Sequence, residues 1–402
     1  MEPTPAAATW SSKTYSIPGG IEFFATDSGP PPNSNDYTTI ILIHGAGFNG
    51  YSFQKLHSLA HTFNLRTVAF NRRDYSGSTP YTPEELSSME NGDKAFIDRL
   101  GMHLHEFLKC FVEEEEIPRI SLDKRMDNGK HRIGKVDAKL EGGLVLVGWS
   151  LGAQTLLSML SDFQGDLALV GPSPDGILLE EYVKDVVFYD PPYTAFGYSL
   201  PPDYDTSGKK YYLPWLDPEN TTLDAAMTAY VSWTGSYFDH HFESESSNNG
   251  GQVQIDSQSK STEKMTTWTE EDLKAGSELA VMIREAGMTA PPIQRILANL
   301  GQQVLFNDGP ESVTESPVRR FAHAALTYIS ASRTIWISAW ANFEMKRRYK
   351  AYLAMNKDRT PAKPIRFVDI QGANHFVSIW VLPSFLPAPS SLRARYFLRM
   401  LV

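Results

Sequence analysis

The 402-residue chain has a single cysteine, Cys110. A lone thiol excludes an internal disulfide framework and any cysteine-rich zinc site. Positive charge is also scarce. The 37 Lys and Arg against 47 Asp and Glu give a formal net charge of −10. Sequence-independent grip on a nucleic-acid backbone comes from clustered cations, so this balance argues against a nucleic-acid partner. No stretch approaches 18 uncharged apolar residues, so an integral membrane segment is not expected. The first residues, Met1-Glu2-Pro3-Thr4-Pro5-Ala6-Ala7-Ala8, lack the basic and apolar regions of a secretory leader. Arginine is absent from the first 60 residues, which speaks against a mitochondrial presequence, and Arg399-Met400-Leu401-Val402 is not a peroxisomal signal. The expected location is cytoplasmic.

What is present suits a soluble globular chain: 42% hydrophobic and 21% charged residues. A chain of this length can bury roughly three quarters of its unfolded surface and needs no covalent staples. Its apolar runs alternate in kind. Residues 14–17 and 21–26 read as strands joined by Pro18-Gly19-Gly20, a turn signal. Thr39-Ile40-Ile41-Leu42-Ile43, Arg66-Thr67-Val68-Ala69-Phe70, Leu144-Val145-Leu146-Val147 and Asp185-Val186-Val187-Phe188-Tyr189 read as buried parallel strands. Between them, residues 51–63 and 93–116 carry helical spacing, the second with Phe96, Ile97, Leu100, Leu104, Phe107, Leu108 and Phe111 inward. Glu113 to Glu116 is expected to be a solvated, fraying helix end, because acids there oppose the macrodipole. Residues 118–143 read as a surface excursion.

After Asp190-Pro191-Pro192 the strand–helix rhythm stops. Residues 193–327 are aromatic-rich in their first third, and 243–262 is a Ser/Gln/Asn/Gly-rich stretch expected to be a mobile loop. Residues 270–286 and 292–300 look helical. The rhythm resumes with Thr334-Ile335-Trp336-Ile337, read as a strand, and ends with a strand over 364–370. Alternating strands and helices indicate an α/β fold with a mostly parallel sheet. The boundaries expected are a core in two parts, 1–191 and 328–402, interrupted by a largely helical cap or lid over 192–327. In open α/β sheets the ligand crevice lies at the carboxyl ends of strands. His44, Ser150, Asp190 and His375 all follow such ends.

Gly148-Trp149-Ser150-Leu151-Gly152 fits G-x-S-x-G, with an apolar strand before it and an apolar helix after it. That geometry lifts a serine oxygen out of the sheet, and the flanking glycines make room for the turn. A helix N-terminus behind it favours developing negative charge.

On these residues the chain resembles the α/β-hydrolase superfamily. His44-Gly45-Ala46-Gly47 looks like that family's oxyanion-loop motif after the third strand. Asn71-Arg72-Arg73-Asp74-Tyr75-Ser76-Gly77-Ser78 is similar to its loop after the fourth strand. Gly148 to Gly152 matches its nucleophile elbow, and Gly372-Ala373-Asn374-His375-Phe376 matches its histidine loop. The resemblance implies the α/β-hydrolase fold, with Ser150 as nucleophile and His375 as base. His44 would pack the loop, and Asp74 would tie a turn. An acid must orient the base, and in this family it lies between nucleophile and histidine. Asp190, at the end of its strand, is preferred. The stretch 338–344 lacks the glycine-to-aspartate turn of the later position, leaving Glu344 and Asp308 as alternatives. The implied oxyanion donors are the amides of Leu151 and Ala46, with Gly47 as second choice.

Phe48, Trp149, Tyr193 and Phe376 either line a pocket for an apolar or ring-bearing acyl group or form part of the core; the sequence supports both equally. His240-His241 lacks a third spaced ligand, so no metal is expected, and no cofactor. The implied activity is hydrolysis of a carboxylic ester or lactone of a small molecule. Alternatives on the same scaffold are acyl transfer or thioesterase-type release, cofactor-free lyase, C–C hydrolase or dioxygenase chemistry, and a ligand receptor. Serine rather than aspartate at position 150 disfavours dehalogenase and epoxide hydrolase chemistry.

Overall fold

The structure is a computed structural model and describes residues 10–120, 141–161, 177–204, 211–242, 253–255, 269–306, 320–356 and 364–376. Residues 121–140, most of the stretch 243–262, and Asp308 lie outside the described residues. Strands β1 (Ser11–Ile17), β2 (Ile21–Asp27), β3 (Thr38–Ile43), β4 (Leu65–Phe70), β5 (Leu144–Trp149), β6 (Val183–Tyr189), β9 (Ala325–Ala331) and β10 (Ile365–Ile370) form one sheet. Its order is β1-β2-β4-β3-β5-β6-β9-β10. β1 pairs with β2, and β2 with β4, antiparallel; every other pairing is parallel. A two-residue pair, β7 (His241–Phe242) and β8 (Val253–Gln254), stands apart. Every residue of β3 to β6 is buried, which is why these strands read as unbroken apolar runs rather than alternating ones.

Two apolar layers flank the sheet. On one side the helix Lys94–Glu114 lays down Phe96, Ile97, Leu100, Leu104, Phe107, Leu108 and Phe111, the face its spacing predicts. The helix Gly152–Met159 is buried along its whole length beside it. Thr82 and Glu85 close a capping box on the preceding helix, Pro83–Asn91, so two otherwise orphaned amides are satisfied at that end. On the other side the helix Gln54–Ala60, flanked by 3-10 turns, covers β4.

Two local expectations are corrected. Thr334 to Ile337 is not a strand. The strand that pairs with β6 and β10 is Ala325–Ala331, and Trp336 already begins the helix Trp336–Met355. Strand propensity depends on packing, and here Trp336 is fully buried with its indole N–H on the Tyr212 carbonyl, 2.7 Å away. The acidic end of the long helix is anchored rather than frayed. Glu115 accepts from Lys13 at 2.7 Å, Tyr15 at 3.0 Å and Arg66 at 2.8 Å. Burial opposes its charge, but Arg66 and Lys13 outweigh that and draw its carboxyl down to about 2.

Between β6 and β9 the chain leaves the sheet. This excursion carries the helices Leu223–Thr234, Glu270–Gly276, Leu279–Arg284 and Pro291–Gly301. It docks at the carboxyl end of β3: Phe48 and Ser277 form an isolated antiparallel bridge, with Asn49 N–H on the Gly276 carbonyl (3.0 Å) and Glu278 N–H on the Gly47 carbonyl (2.9 Å). Among the described residues no helix is long and apolar enough to cross a membrane.

Candidate active site

Ser150 sits where β5 turns into the helix Gly152–Met159. Its φ of 53° is a left-handed conformation that a serine holds only when its surroundings enforce it. The surroundings here are close backbone. A Cβ on Gly148 would lie 2.8 Å from the Gly152 carbonyl oxygen, and one on Gly152 would lie 2.5 Å from the Ile43 carbonyl oxygen. Both positions therefore need glycine, and the serine amide is tied to the Tyr189 carbonyl at 2.9 Å.

His375 follows β10 through the loop Gln371-Gly372-Ala373-Asn374. That loop is held by Asn374 on the Gly235 carbonyl at 2.8 Å and by the Trp149 indole N–H on the His375 carbonyl at 3.0 Å. The ring bridges two partners. Nε2 lies 3.1 Å from Ser150 Oγ, and Nδ1 lies 2.6 Å from Asp190 Oδ2. With Nδ1–H given to the carboxylate, Nε2 is left as acceptor for the serine proton.

Asp190 ends β6. Ala331 N–H donates to its Oδ1 at 3.1 Å, the Thr334 hydroxyl donates to Oδ2, and the Ser338 hydroxyl donates to its backbone carbonyl at 3.1 Å. The exposures of Ser150, His375 and Asp190 are 8%, 2% and 1%, so the contacts among them are largely shielded from water. Glu344 is elsewhere: it lies on the helix Trp336–Met355 with its carboxylate held by Arg347 and Arg348.

The structure separates the three expected oxyanion donors. Among the described residues the amides of Ala46 and Leu151 make no hydrogen bond. The Gly47 N–H is already committed, donating to the Tyr75 hydroxyl at 2.8 Å. A committed amide cannot also serve a developing oxyanion, which removes Gly47 as a donor in this conformation. His44 is a packing residue. Its Nε2 accepts from Arg72 N–H at 2.9 Å and its Nδ1 donates to the Gly45 carbonyl at 2.9 Å. Burial, reinforced by Arg72, pushes its pKa well below the ordinary histidine value and keeps it neutral. Asp74 accepts from Tyr81 N–H at 2.7 Å and pairs with Arg284 at 3.0 Å, a turn-holding role.

Of the four aromatic residues expected near the site, three meet. Phe48 packs edge-on to Phe376 at 4.8 Å and lies 5.6 Å from Trp149, whose ring is 5.4 Å from the His375 imidazole. Their exposures of 1%, 5% and 3% mean that they first of all pack the loop carrying His375. Tyr193 stands apart from them, stacked on Trp336 at 5.9 Å. Sequence reasoning missed Tyr75, Glu285 and Thr334 and placed Tyr230 only among the aromatic residues of the excursion. Tyr230 donates to the Ala46 carbonyl at 3.2 Å, and Tyr75 donates to Glu285 at 2.6 Å. Tyr75 had a signal in its place in the loop after β4, and Tyr230 in the aromatic run it belongs to.

A model of the "Alpha/beta hydrolase family" matches residues 40–381, more than half of the chain. The chain belongs to the α/β-hydrolase family. Its mostly parallel sheet, with helices on both faces, is the α/β-hydrolase fold. No curated protein sequence matches it. Solved structures with a similar overall course include bromoperoxidase from Bacillus anthracis, at 13% identity and TM-score 0.41, covering 92% of this chain and 94% of that one. Epoxide Hydrolase A from Mycobacterium thermoresistibile matches at 12% identity and TM-score 0.44, with 98% of each chain covered. Epoxide hydrolase VrEH1 from Vigna radiata matches at 12% identity and TM-score 0.42, covering 91% of this chain and 92% of that one. Identity at this level does not carry a reaction from one α/β-hydrolase to another.

Proposed function

We propose that this α/β-hydrolase is a serine hydrolase of carboxylic esters or lactones, working through an acyl-enzyme on Ser150. The observation that supports the reading most is the chain Ser150 Oγ to His375 Nε2 at 3.1 Å and His375 Nδ1 to Asp190 Oδ2 at 2.6 Å. In the first half-reaction Ser150 Oγ bonds to the substrate carbonyl carbon while its proton passes to His375 Nε2. The electron pair of the carbonyl moves to oxygen, where the Ala46 and Leu151 amides stabilise it. As the C–O bond to the alcohol breaks, His375 returns the proton to the departing alkoxide. In the second half, water adds to the acyl carbon while its proton passes to His375; as the bond from Ser150 Oγ to the acyl carbon breaks, His375 returns that proton to Oγ and the acid leaves. The Asp190 carboxylate orients the imidazole and stabilises the imidazolium. No cofactor takes part in these steps. Phe48, Trp149 and Phe376 favour an apolar or ring-bearing acyl group if they yield space on binding, and Tyr193 would contribute from further out.

The test is intact-mass labelling with a fluorophosphonate, wild type beside Ser150→Ala, and p-nitrophenyl esters from short to long on the same samples. Stoichiometric labelling and ester turnover, both lost in Ser150→Ala, is the expected result. A folded wild type that neither labels nor turns over any ester overturns the reading.

A further inference from the structure

The peptide plane between Ala46 and Gly47 is gripped from both ends. Its C=O accepts from Tyr230 Oη at 3.2 Å, and its N–H donates to Tyr75 Oη at 2.8 Å. The next carbonyl, that of Gly47, accepts from Glu278 N–H at 2.9 Å. The Ala46 N–H lies in the preceding peptide plane, whose Gly45 carbonyl accepts from Arg72 Nη2 at 3.2 Å and from His44 Nδ1 at 2.9 Å, so the planes on both sides of Ala46 are held.

Tyr75 is a core residue, but its hydroxyl is oriented from the excursion. A phenol has one proton to give. It goes to Glu285 Oε1 at 2.6 Å, which leaves the oxygen's lone pairs for Gly47 N–H and for Arg72 Nη2 at 3.3 Å. Arg72 in turn pairs with Glu285 at 2.7 Å. Tyr75, Arg72 and Glu285 are 0%, 4% and 2% exposed. A buried ion pair is a poor device for stability alone, because well-packed apolar groups of the same volume hold two layers together as well or better. Apolar groups could not aim a peptide N–H. Burial and the neighbouring Glu285 also keep the Tyr75 phenol un-ionised, so its proton stays available to give.

We infer that Glu285 is a positioning residue that sets the oxyanion hole through the Tyr75 hydroxyl, so that the docked excursion completes the catalytic machinery. The inference rests on the reading of Ser150 as an acyl-forming nucleophile. A loop released from this clamp still binds substrate but presents the Ala46 amide poorly to the tetrahedral oxygen. The loss therefore falls on kcat.

The experiment uses the full chain and four variants: Tyr75→Phe, which removes only the hydroxyl; Glu285→Met; Glu285→Gln; and the Tyr75→Phe/Glu285→Met pair. Active sites are titrated with a fluorophosphonate, melting is recorded, and kcat, KM and inhibition by phenylboronic acid are measured on one ester. A boronate places a tetrahedral oxygen in the hole, so it reports on the donors without turnover. Tyr75→Phe is expected to lower kcat about 10- to 100-fold, with KM within about threefold, and to weaken the boronate by the same factor as kcat/KM. Glu285→Met is expected to follow it. Glu285→Gln, which returns an acceptor to the phenol, is expected to restore most of the kcat lost in Glu285→Met. The pair is expected to be no worse than Tyr75→Phe alone, because both act on one hydrogen-bonded chain. Tyr75→Phe that folds and keeps wild-type kcat and boronate affinity per titrated site overturns the inference while leaving the hydrolase reading intact. A wild type that does not label overturns both.

Discussion

Replacing Asp190 by asparagine reverses the hydrogen bonds at one carboxylate oxygen, and the structure determines which oxygen that is. Asp190 Oδ1 accepts from Ala331 N–H at 3.1 Å, and Oδ2 accepts from His375 Nδ1–H at 2.6 Å. Asparagine has one oxygen and one NH2. The Ala331 amide can only donate, so the oxygen stays there and the NH2 turns toward His375 and Thr334. Nδ1 must then accept, the imidazole proton moves to Nε2, and Nε2 can no longer take the Ser150 proton. Recovering the working tautomer means turning the amide round, which sets N–H against N–H at Ala331 and leaves a second buried donor without its partner. Two such buried losses at roughly 1–3 kcal/mol each come to about 4 kcal/mol. That is about a thousandfold in rate, near the roughly 10⁴-fold that a flipped tautomer costs in a Ser-His-Asp protease. The assay is kcat/KM on an ester that wild type turns over, with fluorophosphonate labelling rate and melting temperature on the same samples. The expected result is a fall of about 10³- to 10⁴-fold in both rates with melting nearly unchanged. Asp190→Asn within tenfold of wild type, while Ser150→Ala is inactive, would refute the assignment of Asp190 as the orienting acid.

Two further outcomes concern stability. Burial pushes His57 and His103 down to about 4 from 6.5, and His44 falls well below 6.5 as well. Between those values the unfolded chain binds protons that the folded one does not. Their contribution is therefore complete above pH 6.5 and lost as pH falls toward 4, up to about 3 kcal/mol each for His57 and His103. Urea midpoints should hold from pH 7.5 to about 6.5 and then fall steadily to pH 4.5 at constant m-value, and a flat profile across the whole range would contradict the reasoning. Gly152→Ala puts a methyl group 2.5 Å from the Ile43 carbonyl oxygen, and Gly301→Ala meets only the Phe196 carbonyl at 3.9 Å. The first should lower the melting temperature by several degrees, corresponding to about 1–3 kcal/mol, and the second should be neutral or stabilising. Equal melting of the two would show that the elbow tolerates a side chain.

Much of the fold was legible because its strongest features are local. β3 to β6 are apolar on both faces, so each announces itself without reference to its neighbours. The long helix shows its buried face through spacing alone, and the glycines of the elbow mark a backbone approach that no other residue survives. What was not legible depends on distant partners. Ala325–Ala331 and Thr334 to Ile337 carry similar β-branched and aromatic character, and only pairing with β6 and β10 decides which is the strand. Glu115 reads as one acid among four, yet it meets Lys13, Tyr15 and Arg66. The commitment of Gly47 N–H to Tyr75 has no side-chain signature at position 47. Glu285 is 210 positions from the phenol it binds, and nothing around it in sequence distinguishes it from the other charged residues of its helix end.

Ser150 and His375 are separated by 225 positions. At roughly 5–20 residues per second of synthesis, Ser150 exists for about 10–45 s before His375 is made. Asp190 is translated early in that interval, and the segment that bridges to Phe48 arrives midway. On the reading above, a chain still on the ribosome carries an ordinary, unreactive serine hydroxyl. Reactivity switches on only when β10 adds to β9 and delivers the imidazole. A chain interrupted before β10 would retain most of the sheet and have no activated serine.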